Sequence, residues 1–227
     1  MKDYGSFCPI AKAAEILAER WTLLLLRDML QGSRRFNDLR RGVPQMSPTL
    51  LSKRLQTLEQ AGLISRRCGA GGHWEYHPTA AMDDLEPVIA AIGHWGQRWV
   101  RSRLTPDELN PSVVMWAMHR HFNRARLPPG GVVLYVEITD AKRLDRWWFI
   151  AGADEVDLCW DDPGRDVDIS LYADLRTLTQ LYIGDLSLFR ARELGRIEID
   201  GSRELVRSMP SWFPRSKFAD DNPFPAA

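Results

Sequence analysis

Apolar positions in the first hundred residues recur mainly at spacings of three and four, the repeat of a helix with one buried stripe. Cys8-Pro9 opens the first such segment, which runs to about Ala18 with proline at its first helical position. A second helix is predicted over residues 21–30. Its run Leu23-Leu24-Leu25-Leu26 is apolar nearly all round, as befits a central helix, and Gly32 ends it. A short helix over residues 36–41 turns Phe36, Leu39 and Val43 inward. Ser47-Pro48 then supplies an N-cap and a first-turn proline, and Gly62 a stop, for a helix of about four turns. Leu51, Leu55 and Leu58 form its buried stripe, leaving Thr49, Ser52, Lys53, Gln56 and Gln60 on other faces. Residues 63–68 and 73–77 read as two strands joined by Gly69-Ala70-Gly71-Gly72. From Pro78-Thr79 a long helix is predicted, with Leu85, Val88, Ile89, Ile92, Trp95 and Trp99 on one stripe and Pro87 inside it.

The stretch over residues 104–112 holds two prolines among polar residues and reads as a break between domains. The expected organisation is a mainly α domain over residues 1–104, a linker over 105–112 and an α+β domain over 113–227. The second half predicts a helix through about Asn123 and strands over residues 132–139, 147–151, 156–160 and 166–172 in meander order. Helices over 175–183 and 187–193, a strand over 196–199 and a last helix from Ser202 follow. Trp147 and Trp148 are adjacent on a strand, so they point to opposite sheet faces; both faces are covered, or one ring meets a ligand.

A chain of 227 residues suits two domains, and 44% hydrophobic content supplies material for two interiors. The formal charge of +0 hides an asymmetry: residues 1–104 carry 15 Lys/Arg against 10 Asp/Glu, and residues 105–227 carry 15 against 20. Between Arg20 and Arg67 ten basic residues face only Asp28, Asp38 and Glu59, a surplus that suits a polyanion. The longest apolar stretch near the N-terminus, Leu23 to Leu26, is far short of a membrane span, so a cytoplasmic protein is expected. The three cysteines, Cys8, Cys68 and Cys159, have no metal-ligand spacing and imply no disulfide framework. His73 and His77 share a strand face, but with Cys68 they make too few ligands on too pliant a hairpin for a metal site.

A short helix, a tight turn through Gly42-Val43-Pro44, a capped polar-faced helix and a glycine-tipped hairpin provide what reading duplex DNA requires. A helix roughly 10–12 Å across fits the major groove, and a basic hairpin can lie along neighbouring phosphates. Ser47, Pro48, Thr49, Ser52, Lys53 and Gln56 are the residues expected near base edges. Arg34, Arg35, Arg40, Arg54, Arg66 and Arg67 are expected on phosphates, with Gly71, Gly72 and His73 at the hairpin tip.

Several ordered motifs carry a resemblance: Cys8-Pro9-Ile10; Trp21-Thr22-Leu23-Leu24-Leu25-Leu26-Arg27; Arg35-Phe36-Asn37-Asp38-Leu39-Arg40; Ser47-Pro48-Thr49-Leu50-Leu51-Ser52-Lys53-Arg54-Leu55; and Leu58-Glu59-Gln60-Ala61-Gly62-Leu63-Ile64. Together they resemble the HxlR-type bacterial regulators, with a winged helix-turn-helix, over about residues 7–100. The resemblance implies a homodimer, joined through its first and last helices, that binds a roughly palindromic double-stranded operator and usually represses transcription. The stripe Leu85, Ile89, Ile92, Trp95 and Trp99 independently calls for a partner surface. Cys8, as N-cap of the first helix, is where some members of that family sense oxidants or electrophiles, which gives an alternative mode of control.

The second half resembles sterol-carrier-protein-like domains through Val156-Asp157-Leu158-Cys159-Trp160-Asp161-Asp162-Pro163-Gly164, Ala173-Asp174-Leu175-Arg176-Thr177-Leu178, Gly184-Asp185-Leu186 and Gly195-Arg196-Ile197-Glu198-Ile199-Asp200-Gly201. That resemblance implies an apolar tunnel for a lipid-like or aromatic effector, with Trp116, Phe122, Leu134, Val136, Trp148, Tyr182, Met209 and Trp212 as its expected lining. No nucleophile elbow, phosphate loop, dinucleotide fingerprint or zinc-protease motif is present, so neither catalysis nor a cofactor is expected. A lipid carrier that uses the winged helix only as a dimer platform is the remaining class. Salt-dependent retardation of DNA separates it from a regulator.

Overall fold

A computed structural model describes residues 4–69, 72–100 and 104–221, and the chain divides into two compact units, Met1–Gly93 and His94–Ala227. The division falls inside the last helix of the first half and not at the proline-containing segment 104–112, which holds a short 3₁₀ turn, Pro106–Glu108. A capping box closes that turn, with the Thr105 backbone N–H donating to Glu108 Oε2 at 2.7 Å.

The first unit runs α1 (Pro9–Leu17), α2 (Thr22–Leu30), α3 (Phe36–Gly42), α4 (Pro48–Gln60), β1 (Ile64–Cys68), β2 (Trp74–Pro78), α5 (Ala80–Asp83) and the start of α6 (Glu86–Trp95). Leu25, Leu26 and Met29 of α2, Leu39 of α3, and Leu51, Leu55 and Leu58 of α4 make its core, at 0–1% exposure. The long helix expected from Thr79, with Pro87 inside it, is in fact two, α5 and α6, separated at Asp84 and Leu85. Pro87 is the cause: it has no N–H for the carbonyl of Asp83 but is compatible with the first turn of a new helix. α6 continues into a π-helical turn, Gly96–Val100.

The second unit opens with α7 (Pro111–His119), capped by Asn110, whose side chain accepts from Val113 N at 3.2 Å. Then come β3 (Val132–Ile138), β4 (Arg146–Ala151), β5 (Val156–Cys159), β6 (Ile169–Ala173), α8 (Leu175–Ile183), α9 (Leu188–Glu193), β7 (Ile197–Gly201) and α10 (Arg203–Trp212). The sheet order is β5-β4-β3-β6-β7, so only β3, β4 and β5 form the expected meander. β6 lies on the other side of β3 and parallel to it, with Val136 opposite Leu171, so residues 160–168 are a crossover and not a hairpin turn. Alternate residues of β3 (Val132, Leu134, Val136, Ile138) are buried at 0–3% exposure, as a central strand requires.

Register places Trp147 opposite Val136 on the core face and Trp148 opposite Tyr135 on the other. Trp148 packs against the Tyr135 ring, centroids 5.1 Å apart, and both tryptophans are buried. Burial and a 2.6 Å hydrogen bond from its own hydroxyl to Glu137 push the Tyr135 phenol above its ordinary pKa.

Candidate nucleic-acid interface

α4 is held in place by its apolar stripe and by its cap. Leu51, Leu55 and Leu58 are 0%, 1% and 0% exposed, and Ser47 Oγ accepts from Leu50 N at 3.3 Å. Burying that stripe turns the opposite face outward: Ser47, Pro48, Thr49, Ser52, Lys53 and Gln56 are all exposed. The turn between α3 and α4 is anchored by buried Val43 and Met46, with Met46 N donating to Val43 O at 2.9 Å. Gly42 ends α3 where a side chain has no room, because a Cβ there would lie 1.5 Å from Asp28 Oδ2. Asp28 is fully buried on α2 and takes an ion pair from Arg27 at 2.8 Å. This close approach fixes α3, and with it the start of α4, against the central helix.

Beside α4 lies the antiparallel hairpin β1–β2, registered with Arg66 opposite Tyr76 and Arg67 opposite Glu75. A third segment, invisible to hairpin patterning, ties the hairpin down: Tyr76 N donates to Arg34 O at 2.8 Å, and Arg35 forms a bridge with Glu75. Arg66 and Arg67 are exposed, and Arg66 lies over the half-exposed ring of Trp74 at 4.6 Å. Trp74 is a wing residue that charge counting missed; the signal was its diagonal cross-strand position from Arg66. Gly72 and His73 are exposed near the tip, with Gly72 at φ +77°, where glycine is favoured. Gly71 lies outside the described residues.

The six arginines expected on phosphates separate into two groups. Arg35, Arg40, Arg66 and Arg67 are exposed; Arg35 also meets Glu75 at 3.6 Å. Arg34 and Arg54 do not share that surface. Arg34 donates to the carbonyls of Met29 and Ser33 at the end of α2, and burial lowers its pKa. Arg54 turns inward to Glu19, Nη2 to Oε2 3.0 Å, with its side chain 12% exposed. It clamps α4 to the segment before α2, because the side of the helix it occupies faces protein. Arg54→Leu should lower the unfolding free energy of the first unit by about 1 kcal/mol, the range of a partly exposed pair. The slope of DNA affinity against salt should stay unchanged, as thermal melts and retardation assays would show; a flattened slope would return Arg54 to the phosphate set.

The stripe on the last helices is also divided. Leu85 and Ile89 pack into the first unit's own core, whereas Ile92, Trp95 and Trp99 are 44%, 60% and 72% exposed. Near the N-terminus Phe7 and Ile10 are 99% and 79% exposed. Cys8 is the N-cap of α1 and half-buried; its backbone N–H donates to Ser6 Oγ at 3.2 Å, and its thiol makes no cap bond.

The residues of the expected effector lining fall in more than one place. Phe122, Leu134, Val136, Met209 and Trp212 belong to the second unit's hydrophobic core, with Tyr182 packed against it. Trp148 faces the opposite side of the sheet, and Trp116 stacks on His119 at 4.8 Å. Periodicity identified these rings as interior but could not distinguish packed core from lining.

Among the described residues no group of three or more His, Cys, Asp and Glu could hold a metal, and no helix is long and apolar enough to cross a membrane.

Residues 16–103 match the model of the HxlR-like helix-turn-helix family. The HTH-type transcriptional regulator YvaP of Bacillus subtilis is 33% identical over 101 residues, which cover 43% of this chain and 94% of that protein. The HTH-type regulator sll1512 of Synechocystis is 33% identical over 100 residues, covering 43% of this chain and 74% of its own. Among solved structures, the redox regulator HypR in its reduced form aligns at 27% identity over 39% of this chain and 90% of its own, with a TM-score of 0.37. A capped, outward-facing helix beside a basic hairpin, within a segment that spans nearly the whole of a relative such as YvaP, places the chain in the HxlR-like helix-turn-helix family of transcriptional regulators.

Proposed function

We propose that the protein is a homodimeric, sequence-specific repressor that reads a roughly palindromic operator with α4 and grips the flanking backbone with its wing. One observation carries this reading: the exposed face of α4 (Thr49, Ser52, Lys53, Gln56) lies in the same unit as the exposed Arg35, Arg40, Arg66 and Arg67. Small polar side chains suit base edges, and guanidinium groups suit phosphates. The proposed dimer rests on Ile92, Trp95 and Trp99, large apolar side chains left in water on the last helix and turn of the DNA-binding half. The second unit is read as an effector module of sterol-carrier-like type, on the motifs that carry that resemblance. Its acidic surplus, 15 Lys/Arg against 20 Asp/Glu over residues 105–227, keeps it off DNA.

Selection of bound duplexes from a random pool should enrich an inverted repeat whose half-site centres lie about 34 Å apart, one duplex turn. The variant Trp95→Asp with Trp99→Asp should sediment as a monomer and lose the repeat. No enrichment by the wild-type protein would overturn the regulator. Enrichment of the same repeat by a variant that sediments as a monomer would overturn the dimer.

A further inference from the structure

We infer that the second unit binds a compact amphipathic carboxylate in a cleft between α9, β7 and α10, its head group held by Arg192 and Arg207. The inference deepens the effector reading above and moves it to a place that sequence patterning did not indicate.

Two adjoining clefts open here, of about 290 and 270 Å³, and share Leu188, Phe189 and Pro210. The first is floored by Ile199, Val206 and Met209, and of the residues expected to line a pocket only Met209 reaches it. Phe189 is 73% exposed between the two, a large apolar ring left in water at the mouth of apolar hollows. Pro210 lies inside α10 and brings no N–H to the carbonyl of Val206, which loosens the helix where it borders the cleft.

Charge decides what kind of ligand fits. Glu193 on the rim is engaged by Arg190 at 3.1 Å, and at the second cleft Arg215 meets Asp220 at 3.5 Å. Arg192 and Arg207 line the first cleft, both exposed, and neither forms an ion pair among the described residues. Two guanidinium groups without carboxylates, at an apolar hollow in the acidic half of the chain, complement an anion with an apolar body. The volume is at the lower end of small-molecule sites, roughly 300 Å³ and upward, which selects a short chain or a single aromatic ring.

Calorimetric titration of the full chain with octanoate, 1-octanol and octylammonium tests the assignment. Octanoate should bind at least about tenfold more tightly than octanol, as a charge-assisted hydrogen bond adds, and octylammonium should be weakest. Arg192→Gln with Arg207→Gln should bring octanoate down to the affinity of octanol, and Val206→Trp should block both by filling the hollow. The Gln pair lies on exposed side chains and keeps the test independent of whether the tryptophan variant folds. Equal binding of octanoate to the Gln pair and the wild type, or absence of octanoate binding at millimolar concentration, would overturn the site. DNA retardation with and without octanoate is read separately: unchanged operator affinity despite calorimetric binding would sink the effector reading and leave the site standing.

Discussion

Replacing Arg40 and Arg67 together with glutamine is expected to weaken DNA binding by about a thousandfold at about 0.15 M salt, without changing the preferred sequence. Every guanidinium withdrawn from a phosphate means about 0.9 fewer counterions released on binding; with two such groups per protomer and the two protomers of the proposed dimer, the slope of log affinity against log salt should flatten by about 4. Both side chains are exposed, Arg40 on α3 and Arg67 on β1, so removing their charge uncovers no apolar surface. Glutamine is preferred to glutamate because Arg67 pairs across the hairpin with Glu75, and two carboxylates directly opposite would destabilise the wing for another reason. Retardation at four salt concentrations, on the selected duplex and on an unrelated one, gives slope and specificity together. A slope equal to that of the wild type would show that this face does not meet the backbone.

Gly42→Ala is expected to lower the unfolding free energy of the first unit by about 3 kcal/mol, combining the cost of overpacking with that of disturbing a buried charge. A methyl at that position would sit 1.5 Å from Asp28 Oδ2, inside any possible contact distance. The aspartate has little freedom to retreat: it is fully buried, and its other oxygen is held by Arg27 Nε and Nη2, each at 2.8 Å. Either α3 moves off α2, which tilts the turn into α4, or the Arg27–Asp28 pair is broken. For a unit of this size the first thermal transition should fall by about 15 °C, and DNA affinity should fall with it at temperatures where the unit still folds. Gly96→Ala, which lies beyond the first unit, should leave that transition unmoved, since nothing lies within 4 Å of its added carbon. A melting point within about 2 °C of wild type for Gly42→Ala would mean that the approach of α2 and α3 is not as tight as described.

Local rules wrote much of this molecule into its sequence. The helix after Ser47 could be read because its cap, its first-turn proline, its three leucines and its glycine stop are all short-range features, and such features act the same way in any context. The hairpin was legible for the same reason, and so was the division of Trp147 and Trp148 between two sheet faces, which follows from the two-residue period of a strand. A +7 surplus of charge between Arg20 and Arg67 likewise needs only counting.

What tertiary structure alone decided depends on neighbours distant in sequence. Arg54 looks like Arg67 in one dimension, yet Glu19, thirty-five residues away, draws it inward while Arg67 stays in water. The placement of β6 beside β3 depends on a crossover whose length fits several strand orders, and only packing of the whole sheet selects one. Buried tryptophans announce an interior, but whether a hollow remains beside them depends on how every other side chain fills the space, so the cleft bounded by α9 and α10 had no trace in the periodicity. Properties fixed by a residue and its near neighbours were determined by the sequence itself; which charges face solvent and where space is left empty were settled when the chain closed on itself.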